Sequence, residues 1–212
     1  MMYFDIDPRS VLKRALQNGG EYADLFIERS TPFSIMCESG RVEKVLSGLD
    51  CGAGVRLIFG QRTAYAYTNE ISLPALLALA DAVSQAVAGE VGASRNAVMD
   101  LTRKNPHVDF RIEKAPETVS TDQKVGMVLR ADSIARSIDS RIRQVMVVYR
   151  ENRQQVLIAN SDGSLAEDER MYLTALVHVV AADGEVVQTG YEPVGGFAGM
   201  ELFDRYPLEK AA

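Results

Sequence analysis

Between Glu21 and Ser72 five strand-like runs follow one another with short connections between them, and this block limits the possible folds more than any other stretch. Runs 22–29 and 33–38 flank Ser30-Thr31-Pro32, which reads as a turn. Run 41–46 follows Ser39-Gly40, and runs 54–59 and 62–68 flank Gly60-Gln61, a tight-hairpin signal. Strands in such close succession pair with near neighbours, so an antiparallel sheet is expected.

Helical segments enclose the block. Asp7-Pro8 is a cap followed by proline, and Val11, Leu12, Ala15 and Leu16 then share a face that ends at Asn18-Gly19-Gly20. From Ser72 to Ala88, Leu73, Leu76, Leu77, Ala80, Val83 and Val87 form an apolar stripe. Residues 89–118 lose all periodicity and read as a linker. Beyond them Ser120-x-x-Gln123 is a capping box opening a third helix, with Met127, Val128, Ala131, Ile134, Ala135 and Ile138 on one face. Strand runs 143–149 and 155–159, an Asn160-Ser161-Asp162-Gly163 turn, a strand at 170–181 and a partner at 185–191 across Asp183-Gly184 follow. Glu167-Asp168-Glu169 reads as a solvated turn, the glycines of 195–199 as a mobile loop or a close backbone contact, and the tail to Ala212 has no period. The expected fold is α+β, with two units of mainly antiparallel sheet and packed helices over 1–88 and 119–212. The shared order of elements in the two halves resembles a weak internal duplication, an order that α+β domains also reach by chance.

Composition narrows the function. With 47% hydrophobic and 25% charged residues the chain can bury a real core, and its net charge of −6 argues against nucleic acid as a partner. Neither a signal-peptide core nor an apolar run of spanning length is present, so no membrane partner and a cytoplasmic location are expected. Cys37 and Cys51 have no metal or redox spacing and read as buried thiols. The two histidines, His107 and His178, are too far apart to make a local metal motif, and no Gly-x-Ser-x-Gly elbow occurs. Gly52-Ala53-Gly54 leads into an apolar strand rather than a helix N-terminus, so it reads as a bulge or a close backbone approach instead of a phosphate loop. Arg56, on that strand, is the one candidate substrate-binding residue. Its alternatives are a sheet-edge cap or a structural ion pair with a carboxylate such as Glu38 or Glu43. No catalytic or metal-ligating residue is assigned.

Tyr22-Ala23-Asp24-Leu25, Gly52-x-Gly54-Val55-Arg56, Tyr65-Ala66-Tyr67-Thr68, Asn160-Ser161-Asp162-Gly163 and Gly195-Gly196 occur in an order that resembles the TldD/PmbA (TldE) metallopeptidases, once labelled modulators of DNA gyrase. The wording leans toward the TldD type, and the likeness covers the N-terminal and central regions. The resemblance implies a zinc ion held by an HExxxH helix and a cysteine in a C-terminal domain, with the glutamate as general base. This sequence has no HExxxH, so no catalytic residue carries over. The chain is expected to be inactive alone, walling a peptide channel, mediating homo- or heterodimerisation with a TldD/PmbA-type subunit, and facing peptide or unfolded polypeptide substrates. A sheet edge could admit such a peptide as an added strand. A non-catalytic interaction module pairing with a full-length partner is the alternative.

Overall fold

A computed structural model describes residues 4–88, 98–104 and 110–212. The fold is α+β: eight strands in the order β4-β3-β1-β6-β7-β5, with β2 on β1 and β8 on β7. The strands are β1 (Tyr22–Glu38), β2 (Arg41–Ser47), β3 (Asp50–Phe59), β4 (Arg62–Thr68), β5 (Thr102–Lys104), β6 (Ile142–Asn160), β7 (Ser164–Asp183) and β8 (Val186–Gly196). The helices are α1 (Pro8–Ala15), α2 (Leu73–Gln85), α3 (Thr121–Ile138), α4 (Glu201–Arg205) and α5 (Leu208–Ala211). None of the described helices is long and apolar enough to cross a membrane.

The described residues of Met1–Ser30, Asp50–Asp109 and Gln154–Glu169 form one compact unit, and those of Thr31–Leu49, Phe110–Arg153 and Arg170–Ala212 form the other. Strands β1, β6 and β7 each give residues to both units. Of the segment 89–118, residues 89–97 and 105–109 lie outside the described residues. Within the rest, β5 pairs in parallel with Ser164–Ala166 of β7.

In the first unit, Asp7 caps α1 by accepting from the Arg9 amide at 3.1 Å, and Ser72 caps α2 by accepting from Ala75 at 3.3 Å. Period-2 burial along β1 and β3 turns Ala23, Leu25, Ile27, Ala53, Val55 and Leu57 inward. Val11, Leu12, Leu16, Leu76, Ala80 and Val83 of the helical segments close over them. Arg14 and Gln17 both hold Asp81, which fastens α1 to α2. In the second unit the capping box forms, with the Gln123 amide 3.3 Å from Ser120 Oγ and Ser120 N 3.0 Å from Gln123 Oε1. Helix α3 then buries Val128, Ala131 and Ala135 with Ile35, Cys37, Val145, Val147, Leu173 and Val177.

Four local expectations are corrected. Ser30-Thr31-Pro32 is not a turn, because β1 runs straight through it. The ladder to β3 ends at Ser30 and the ladder to β2 begins at Phe33, so Pro32 falls where that side of the strand requires no N–H. Runs 143–149 and 155–159 are one strand, β6, with the polar residues 150–153 inside it. Glu167-Asp168-Glu169 is likewise inside β7, and the Glu167 side chain is 1% exposed against Arg103 at 2.6 Å. The tail forms α4 and α5, which bury Leu202, Phe203 and Leu208. Gly195 and Gly196 end the β7–β8 ladder opposite Thr174 and Leu173; Gly195 is a close contact, where a side chain would collide with Thr174, whereas Gly196 faces open space.

Candidate functional site

The outward face of β1, β3 and β4 carries the most distinctive surface of the first unit. Alternation sends Ala64 and Ala66 inward and leaves Tyr65 and Tyr67 outward, 63% and 77% exposed. Phe26 of β1 is 40% exposed on the same face. The two tyrosine rings stack with centroids 6.2 Å apart at 24°. Gly54 lies opposite both Phe26 and Tyr67 in the strand registers. A side chain at Gly54 would collide with the Tyr65 ring, so this glycine is required for that ring to lie across the strand. The result is an open groove of about 320 Å³ floored by Gly52, Ala53 and Gly54. Glu28, Asp50, Ser30 and Cys51 line its other end.

Arg56 sits just beyond the groove, opposite Asp24 on one side and Tyr65 on the other. Its Nε donates to Asp24 at 3.0 Å, and a second nitrogen also reaches that carboxylate. Hydrogen bonding and charge from Asp24 push the guanidinium further above its usual range. The structural ion pair is therefore present, with Asp24 in place of the anticipated Glu38 or Glu43. Strand register decides the partner: Asp24 is directly cross-strand from Arg56, whereas Glu38 pairs with Arg41.

The second unit holds a buried charged cluster that no sequence signal singled out. Lys124 projects from the apolar face of α3, and its side chain is 5% exposed. Its Nζ lies 2.7 and 2.8 Å from the two oxygens of Glu151, 4.9 Å from the Phe33 ring centroid and 5.9 Å from that of Tyr149. Tyr149 Oη donates to Glu151 and lies 3.2 Å from Met200 Sδ. Burial first, then Glu151, drive the Tyr149 phenol far upward, so it remains protonated. Every polar group of this cluster is answered by another, which is the condition for holding charge inside a core. An apolar groove of about 700 Å³ opens above it between Leu46, Tyr172 and Thr174.

The remaining candidates are scattered. His178 stands half-buried on β7 opposite Tyr191, on the strand face away from the core, and His107 lies outside the described residues. Both cysteines are free. Cys37 is fully buried, and burial pushes its thiol up to about 11. Cys51 is only half-buried, contrary to expectation, and donates to the Asn69 carbonyl at 3.4 Å. Among the described residues no three His, Cys, Asp or Glu side chains converge to hold a metal ion, so these residues do not fit zinc.

The alternation Tyr65-Ala66-Tyr67 and the glycines at 52 and 54 were visible in the sequence as strand construction. What joins them into a groove is the β3–β4 register, which sets Gly54 beside Tyr67.

Residues 23–89 match the family model described as PmbA/TldA metallopeptidase domain 1, and residues 114–212 match that of the PmbA/TldA metallopeptidase central domain. A metalloprotease TldD homolog of Haemophilus influenzae is 27% identical over 86% of this chain and 38% of its own length. A metalloprotease of Methanothermobacter thermautotrophicus is 27% identical over 99% of this chain and 45% of its own. The chain thus spans less than half the length of these relatives. Among solved structures, TldE from Thermococcus kodakarensis superposes with a TM-score of 0.67 at 14% identity, covering 97% of this chain and 46% of that one. A Bacteroides thetaiotaomicron protein designated a modulator of DNA gyrase superposes with a TM-score of 0.75 at 17% identity, covering 96% and 47%. At these identities the likeness is one of fold.

Proposed function

The chain belongs to the PmbA/TldD family of metallopeptidases, and on that footing we propose that it forms a non-catalytic, peptide-contacting region of such an enzyme. In this reading the zinc chemistry resides elsewhere in the full protein. This region holds an unfolded polypeptide or peptide against the outward face of β1, β3 and β4.

The observation that carries the proposal is the groove floored by Gly52 and Gly54 and bordered by Phe26, Tyr65 and Tyr67. Three aromatic side chains, each at least 40% exposed, stand together on one sheet face. Large rigid rings at a surface supply contact area at little entropic cost, and they dominate binding energy where they are covered. Apolar and aromatic residues of an unfolded chain are the groups such a surface would cover. Strand β2, all seven of whose residues are exposed, is the edge offered to a second TldD- or PmbA-type subunit. A strictly monomeric chain at high concentration, alone and with a full-length paralogue, would remove that part of the proposal.

The groove is tested by titrating a fluorescently labelled unfolded polypeptide with the wild-type chain and with a Tyr65→Ala/Tyr67→Ala variant. Both tyrosines are largely solvent-exposed, so the variant should fold. We expect binding to weaken about tenfold or more, since truncating covered aromatic contacts costs on the order of 1–3 kcal/mol. Equal affinity for the two proteins would take the groove out of the account.

A further inference from the structure

We infer that the aromatic groove of β1, β3 and β4 selects cationic side chains, so that the peptides it holds are basic ones. This deepens the peptide-contacting reading and rests on it. The inference comes from what surrounds the rings. At the Ser30 end the groove is bordered by two carboxylates, Glu28 and Asp50, and among the described residues no lysine or arginine lines it. Arg56, the nearest cation along β3, is already committed to Asp24. Asp50 is exposed and makes no side-chain hydrogen bond or ion pair among the described residues, while Glu28 uses one oxygen to accept from Gln154 at 2.7 Å. One carboxylate is thus wholly open and the other half open at the edge of the aromatic surface.

This pairing has a definite complement. The face of a tyrosine ring attracts an ammonium or guanidinium group, and a carboxylate beyond the ring closes on the same charge. Tyr65 and Tyr67 stack with their exposed surfaces toward solvent, and Gly52 and Gly54 leave the strand between rings and acids bare of side chains. A lysine or arginine side chain has the shape such a slot accepts: its apolar stem lies on the rings and its charged head reaches the acids. An acidic side chain in the same position would meet Glu28 and Asp50 with like charge.

Cys51 provides the readout. It lines the groove, whereas Cys37 is fully buried, so a thiol reagent added to the folded protein reports Cys51. The probes are two short synthetic peptides of one scaffold, with lysine and arginine in the first replaced by glutamate in the second, and a third with serine at those positions. The basic peptide is expected to slow Cys51 modification at about tenfold lower concentration than the acidic one at low ionic strength, the sum of a cation–π contact and an exposed ion pair. That gap should narrow with added salt. A Glu28→Gln/Asp50→Asn variant should lose the gap while still being protected by the serine peptide. Equal protection by basic and acidic peptides would overturn the charge selection and leave the peptide-contacting reading standing. A preference that survives in the variant would also overturn it, because the net charge of −6 would then be its cause. Protection by none of the three peptides would overturn both.

Discussion

Replacing Lys124 by methionine is expected to destabilise the protein by about 3–5 kcal/mol, the cost of leaving Glu151 buried without its counter-charge. The Lys124 side chain is 5% exposed and that of Glu151 14%, so water screens the loss only weakly. The same substitution removes the ammonium from beside the Phe33 and Tyr149 rings. Glu151→Met should cost a similar amount, since it strands Lys124 and takes an acceptor from Tyr149. The double variant carrying methionine at both positions should lose much less than the sum, because no buried charge remains and the new side chains refill the space. Urea unfolding of the four proteins closes the cycle. Additive losses would mean that the pair is open to solvent and that the charges act independently.

Leu57→Ala is expected to cost about 2–5 kcal/mol, the range for emptying a closed apolar site. Leu57 is fully buried on β3, in the core that α1 and α2 cover. Its Cδ1 lies 2.5 Å from where a side chain at Gly20 would begin, so the turn after α1 rests directly on it. That turn is held in the left-handed region, with φ +116° at both Gly19 and Gly20. The surroundings are therefore pinned and poorly able to collapse into the cavity. Leu73→Ala on α2 is the matched control, because Leu73 is 36% exposed. It should cost well under half as much. A Leu57 variant no less stable than the Leu73 variant would contradict the placement of this core.

What could be read from the residues alone was whatever is decided locally. Asp7, Ser72 and Ser120 cap helices because a side-chain oxygen reaches an amide two or three residues on, and sequence spacing contains that fact. The hairpins at Ser39-Gly40 and Gly60-Gln61 form for the same reason, their glycines taking positive φ. What escaped depends on partners distant in the chain. Glu151 lies inside β6 and Glu167 inside β7, although charged runs normally mark turns, because Lys124 and Arg103 neutralise them. Pro32 reads as a turn until it is known that two successive partners share one long strand. Arg56 stands out in the sequence as a charge on an apolar strand, but its partner follows from the β1–β3 register, which local pattern does not specify. Leu202, Phe203 and Leu208 have no visible period because α4 and α5 span only five and four residues, too few to repeat a face.

The central claim is that this region holds polypeptide without cutting it. The most direct measurement incubates the chain with a labelled unfolded polypeptide and zinc, with and without a chelator, and follows anisotropy and the mass of the polypeptide in the same samples. The account predicts saturable binding, no shortening of the polypeptide, and no effect of the chelator on either. Chelator-sensitive cleavage that scales with the concentration of this chain, and that tracks with it through purification, would contradict it.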